Sequence, residues 1–273
     1  MNLDAYLRRI GLERPLPPTV ETLHAVHRAQ AFAVPYEALD VFAGHAVSTD
    51  LAAIQDKILR RGRGGWCYEQ NTLLVWALSA LGFDVRRAVA GAYQGSPGPD
   101  FMGNHIVGLV TLQDATWLCD LGLGDALRSP IPLVEGEHRD GPLIFQLERL
   151  AEGRWRFWNH AAGDPSNFDL DPGPADEALL QRKHDALQTD PASSFRLNFQ
   201  AMRMGATGST VIYGRVLRRT TPAGTEKRLM TGAEELEAIL ATEFGLTGVP
   251  IAPLWPRILA RHATVFGAED APP

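Results

Sequence analysis

Apolar positions recur every three or four residues through the first third of the chain and every second residue through its middle. Leu3, Tyr6, Leu7 and Ile10 predict a first helix, with Asn2 as its cap and Gly11 as its stop. Pro15, Pro17 and Pro18 predict a loop. Thr19 is placed to cap a second helix carrying Val20, Leu23, Val26 and Gln30, which Pro35 ends. Leu51, Ile54 and Ile58 mark a third, broken by Arg61-Gly62-Arg63-Gly64-Gly65. A fourth is expected over 67–81 with Gly82 as its C-terminal cap. Its residues Leu73, Leu74, Val75, Trp76, Ala77, Leu78 and Leu81 leave little polar face, which predicts a buried central helix.

From Val85 the period falls to two. The chain predicts a strand over 85–92, a Gly/Pro/Ser-rich loop over 94–103, and a hairpin of 105–112 with 116–121 around Gln113-Asp114-Ala115. Further strands are expected over 143–150 and 155–159, and 161–174 reads as turns. A second hairpin is expected from 211–219 and 226–229, flanking Pro222-Ala223-Gly224. Thr231 and Glu234 fit a capping box for a last helix bearing Leu236, Ile239, Leu240 and Phe244, ended by Gly245. Helices followed by antiparallel strands and a small mixed end predict an α+β fold and not a parallel doubly wound sheet.

The chain has 273 residues, 45% of them hydrophobic, enough for one large domain or two ordinary ones and too apolar for wholesale disorder. Lys and Arg number 26 against 32 Asp and Glu, a net charge of −6, so the chain has no overall pull on nucleic acid or anionic membranes and neither is expected as a partner. The first residues are too charged for a signal peptide, and the longest clean apolar run, Leu73 to Leu78, is far short of a bilayer span. A cytoplasmic protein is expected. Two cysteines, Cys67 and Cys119, provide no disulfide framework.

Cys67 follows two glycines and begins a long helix. Helix-terminal N–H groups stabilise a thiolate there, the glycines let backbone approach a ligand, and local N–H groups can hold an oxyanion. The alternative is an inert cysteine at a helix start. Cys119 lies between Trp117 and Leu121 on one strand face, the pattern of core packing. His105 opens one strand of the first hairpin and Asp120 ends the next. A turn near 112–114 brings them within about two positions across the ladder, where a carboxylate fixes an imidazole's tautomer. His105 then gives a thiolate–imidazolium pair if it reaches Cys67; otherwise it caps a strand edge while Asp120 opens a turn. His24 and His27 lack metalloprotease spacing, and no Cys-x-x-Cys or His-x-x-x-His pair suggests zinc. His45, His138, His160, His184 and His262 read as solvated. Arg60, Arg61 and Arg63 read as a solvated helix end or as help for an anion, with Arg63 free to pair with Glu37 or Glu69.

Arg63-Gly64-Gly65-Trp66-Cys67-Tyr68-Glu69-Gln70-Asn71 resembles the Arg-Gly-Gly-aromatic-Cys-aromatic-Glu-x-Asn signature of arylamine N-acetyltransferases. Pro35-Tyr36-Glu37-Ala38-Leu39-Asp40 is similar to that family's Pro-Phe-Glu-Asn-Leu-Asp segment. Asn104-His105-Ile106-Val107 resembles the strand carrying its catalytic histidine, and Asp120-Leu121-Gly122-Leu123-Gly124 its Asp-Val-Gly-Phe-Gly turn. The likeness covers the first half clearly; the last third is similar mainly in length, the hairpin and Phe244-Gly245-Leu246.

The resemblance implies a Cys67–His105–Asp120 triad on a cysteine-protease-like core. It also implies three parts: a helical bundle with the nucleophile (1–84), an antiparallel β-barrel with His and Asp (85–190) and an α/β lid (191–273). It implies acetyl-CoA as co-substrate, no permanently bound cofactor and no metal, and ping-pong transfer to an arylamine or arylhydrazine in xenobiotic metabolism. A monomer or homodimer is expected. Tyr36, Trp66, Tyr68, Leu123 and Phe195 are candidates for the acceptor pocket, since planar ligands stack on rings. Gly124 is the candidate contact for the CoA arm, with 193–208 helping to enclose the donor. Leu123 and Tyr36 stand where the family has Phe, and Ala38 where it has Asn, which bears on acceptor range. The same triad serves a cysteine hydrolase or transglutaminase-like amidase, or an amide synthase of secondary metabolism; a further alternative is a fold that only binds an aromatic ligand.

Overall fold

The computed structural model describes residues 2–93 and 101–267, so most of the expected 94–103 loop lies outside the described residues. Helix α1 (Leu3–Ile10) is capped by Asn2, whose side chain accepts from Ala5 N–H, and ends at Gly11 with φ 74°. Thr19 caps α2 (Val20–Ala33). After a two-residue strand β1 (Tyr36–Glu37) come α3 (Leu39–Ala43) and α4 (Leu51–Gln55), which runs into a π-helical turn, Asp56–Arg60. Helix α5 (Cys67–Ala80) is the central one: its Leu73, Leu74, Ala77 and Leu78 pack with Tyr6, Leu23 and Val26. Cys119 joins that core from the barrel side, as its strand pattern predicts.

Strands β2 (Asp84–Tyr93), β3 (His105–Leu112), β4 (Ala115–Cys119), β5 (Ile131–Pro132), β6 (Gly136–Asp140), β7 (Leu143–Arg149), β8 (Trp155–Trp158) and β9 (Asn167–Asp171) form one antiparallel sheet in the order β5-β4-β3-β2-β9-β8-β7-β6. It curls into a nearly closed barrel filled by Leu109, Leu118, Phe145, Phe157, Phe168 and Leu170. The β3–β4 turn is Gln113-Asp114, both at positive φ (52° and 61°), the backbone of a two-residue hairpin. The turn-rich reading of 161–174 is corrected: β9 lies within it and joins β2 to β8. Only Phe168 and Leu170 alternate inward there, between Pro165 and Pro172, too short a signal to outweigh the prolines.

The third layer holds α6 (Glu177–Thr189), α7 (Ser194–Leu197), strands β10 (Gln200–Met204), β11 (Ser209–Tyr213), β12 (Val216–Thr221) and β13 (Gly224–Leu229), then α8 (Ala233–Phe244) and α9 (Trp255–Phe266). Its sheet runs β1-β10-β11-β12-β13, so the amino-terminal helical region lends it an edge strand. The expected 211–219 strand is two strands hinged at Gly214, φ 59°. Glu235, not Glu234, receives the Thr231 N–H and hydroxyl. Helix α6 escapes the apolar pattern because only Leu180 and His184 of its residues are buried. The architecture is α+β as the sequence predicts. No helix among the described residues is long and apolar enough to cross a membrane.

A buried ionic knot ties β1, α3, the π turn and α5 together. Lys57, 4% exposed, lies 2.9 Å from Glu69 and 2.8 Å from Asp40, with Glu37 at 3.9 Å. Arg63 adds bonds to Glu37 at 2.9 Å and Asp40 at 3.2 Å, whereas Arg60 and Arg61 pair with Asp56 at the surface. Burial pushes the Glu69 carboxyl up, to about 7, against the pull of Lys57. Burial opposes the charge on Lys57, yet its three carboxylate neighbours hold the ammonium well above its ordinary value. Removing one partner of such a set strands the others. Lys57→Met should cost about 3–5 kcal/mol in urea unfolding, and adding Glu69→Gln should recover part of it; full stability of the single variant would show the knot to be idle.

Candidate active site

The loop before α5 builds the site. Glu69, one turn in, accepts the Trp66 N–H on Oε2 at 3.2 Å and so caps its own helix. A Cβ on Gly64 would stand 2.2 Å from Pro35 O, and one on Gly65 2.7 Å from the Glu69 Cβ. These glycines let the chain approach itself, which corrects the expectation that they make room for a ligand. Cys67 is the first helical residue and 2% exposed. Gly122 lies directly against it: a Cβ there would fall 2.5 Å from that of Cys67.

His105 opens β3, and Asp120 follows the last residue of β4. Gly108 pairs with Cys119, so the ladder brings the two side chains together, and His105 Nε2 lies 2.9 Å from Asp120 Oδ2. Asp120 Oδ1 accepts from Asn71 Nδ2 at 2.8 Å and from Gly122 N–H at 2.7 Å. Asn71 sits one turn beyond Cys67; it also donates to Ile106 O and accepts the Leu121 N–H. Cys67 lies on the other side of the imidazole and favours its charged form, with its Sγ 3.9 Å from the Asn104 carbonyl oxygen. Phe168 stands behind the ring, 5.3 Å between centroids.

Burial disfavours charge on His105, but the Asp120 carboxylate and then Cys67 outweigh it and raise its pKa to about 10. Burial would raise the Asp120 carboxyl, yet His105, Asn71 and Gly122 hold it below the usual carboxylate value. The pair is therefore an imidazolium held by a carboxylate. Cys119 is the contrast: burial, with Asp120 adding, pushes its thiol far up and leaves it inert.

Sequence reasoning missed His27. Its Nε2 accepts the Asp120 N–H at 3.2 Å, and burial lowers its pKa to about 4, so it is a neutral acceptor. The signal was its place on the buried stripe with Leu23 and Gln30. His160, His184 and His262 are likewise buried, not solvated. His184 follows Leu180 by one turn and packs on Trp66 and Tyr68 at 5.2 and 5.0 Å between ring centroids.

A cavity of about 360 Å³ opens onto Cys67 and His105, and Tyr36, Leu123 and Phe195 help line it. Trp66 and Tyr68 do not. Trp66 is fully buried against Phe195, and the Tyr68 hydroxyl is held between the Gly103 and Leu180 carbonyls. Gly124 also lies outside the lining: at φ 88° it passes beneath Met202, whose Sδ would be 2.2 Å from any Cβ. Of the 193–208 segment, Ser194, Phe195, Gln200 and Met202 reach the cavity.

An N-acetyltransferase family model matches residues 19–249. The chain is 28% identical to mouse arylamine N-acetyltransferase 2 over 90% of its own length and 94% of that protein. It is 33% identical to the chicken pineal-gland isozyme over 71% of this chain and 75% of the relative. The solved Mycobacterium marinum arylamine N-acetyltransferase in complex with CoA superposes with a TM-score of 0.83 at 25% identity, covering 97% of this chain and 99% of that one. With the family model spanning most of the chain and likeness running nearly end to end, this protein is an enzyme of the arylamine N-acetyltransferase family.

Proposed function

We propose that the enzyme moves an acetyl group from acetyl-CoA to an arylamine or arylhydrazine through a thioester on Cys67, with His105 and Asp120 completing the triad. The observation that carries this reading is the His105 Nε2–Asp120 Oδ2 bond of 2.9 Å, made by an imidazole that lines the same cavity as Cys67. A CoA-bound relative of the same fold supports acetyl-CoA as donor.

With the thiol's proton on His105, the Cys67 thiolate attacks the thioester carbonyl carbon. The tetrahedral adduct collapses, and the departing CoA sulfur takes the imidazolium proton. The neutral imidazole then removes a proton from the attacking amine as the Cys67 sulfur leaves, which restores the ion pair. An aromatic amine suits this second step, because its weak basicity keeps the lone pair free near neutral pH. Asp120 holds the ring and favours its charged form, while Asn71 and the Gly122 N–H fix Asp120 in turn.

Mixing the enzyme with acetyl-CoA should add one acetyl group to Cys67, seen by mass spectrometry of the active-site peptide, and an arylamine should remove it. Peptide or glutamine-amide hydrolysis without that adduct would favour a hydrolase instead. Leu123→Phe should shift preference among arylamines and hydrazines while leaving the loading of Cys67 largely unchanged; loss of loading would show that Leu123 serves the donor step.

The triad bond also sets a pH dependence of stability. The folded imidazole holds its proton more tightly than an unfolded one, so its contribution is complete below about pH 6.5 and fades as pH climbs toward about 10. Asp120→Asn should flatten that decline in denaturant midpoints and slow acetyl loading by about 10²–10⁴-fold. An unchanged slope would mean that the imidazole is not charged by its neighbour.

A further inference from the structure

We infer that the Tyr36 phenol is a catalytic hydrogen-bond donor that holds the acyl oxygen while that oxygen carries negative charge. This rests on the transferase reading and adds a residue to it.

Tyr36 is buried, 8% exposed, and lines the same cavity as Cys67 and His105. Among the described residues its hydroxyl has no hydrogen-bond partner. An unpaired phenol on a cavity wall shared with a thiol can donate to a ligand atom held there. The residue is also rigidly placed. Tyr36 pairs with Met202 on one side, and on the other Glu37 N–H donates to Gly65 O at 3.1 Å, two residues before Cys67.

Several other donors near the sulfur are already committed. The Gly65 N–H goes to Pro35 O, that of Trp66 to Glu69, that of Leu121 to Asn71, and that of Gly122 to Asp120. The Asn104 side chain, also in the lining, is tied at both ends to the Ala92 backbone. Burial, followed by the negative charge of Cys67 and Asp120, holds the Tyr36 phenol well above its ordinary pKa, so it stays protonated. A neutral O–H can then donate to an oxyanion without giving up its proton.

In each half-reaction the carbonyl π electrons move onto oxygen as sulfur or nitrogen attacks. The Tyr36 O–H donates to that oxygen, and the bond relaxes when the C=O reforms and the CoA or Cys67 sulfur leaves. Both tetrahedral adducts share this oxygen, so loss of the hydroxyl must slow both steps.

The test is Tyr36→Phe, which keeps the ring, measured by single-turnover CoA release and then by amine-driven loss of the acetyl group. Both rates should fall by about 10- to 100-fold, by a similar factor for several arylamines, with the His105-controlled pH profile of loading unmoved. Rates within about twofold of wild type would overturn the proposal. So would a loss confined to the amine step or to the amine KM, which would make Tyr36 an acceptor-pocket wall. A wild-type enzyme that takes no acetyl group on Cys67 would instead overturn the transferase reading itself, and this role with it.

Discussion

A carboxylate taken wholly out of water must be repaid in hydrogen bonds, and at Asp120 all of them lead toward Cys67. One oxygen faces His105; the other takes the Asn71 amide and the Gly122 N–H. Asn71 belongs to the helix that begins with Cys67, and Gly122 is the residue pressed against Cys67. Satisfying one buried charge therefore draws the helix start, the β3–β4 hairpin and the following turn to a single point. An alternative packing of these parts would strand the anion, which is a strong reason for them to adopt one arrangement.

The same logic governs the far side of the helix start. Lys57 and Arg63 gather Glu37, Asp40 and Glu69 into a second buried network, and Glu69 spends an oxygen on the Trp66 N–H. Much of the residue pattern around the cysteine is thus structural. Arg63, Gly64, Gly65 and Glu69 hold the loop, while Cys67 faces the cavity. A run of unusual residues can owe most of its character to the residues that support one side chain at a cavity wall.

That division explains what was legible in the chain. The α1 and α2 caps, the central helix and the β3–β4 turn follow from local chemistry, because Asn2, Thr19 and Gln113-Asp114 act on their own neighbours. The proximity of His105 to Asp120 followed from hairpin arithmetic alone. What escaped was non-local. Strand β9 is recognisable only through its partners β2 and β8, and α6 only through the surface it covers. Trp66 and Tyr68 have the right ring chemistry for a planar ligand, yet neighbours from α6 and α7 consume their faces. His27 looked unremarkable because its role depends on a backbone N–H far along the chain.

Strand β1 has a consequence for how the enzyme comes into being. Its partner is β10, so the wall bearing Tyr36 is completed by a segment that leaves the ribosome long after Cys67. Loop closure over such a distance in the chain is slow and gains nothing until both ends are present. The bundle and barrel can collapse during synthesis, but the cavity is completed only when β10 arrives. A nascent chain stopped after the barrel carries Cys67, His105 and Asp120 and still lacks the Gln200 and Met202 side of the cavity.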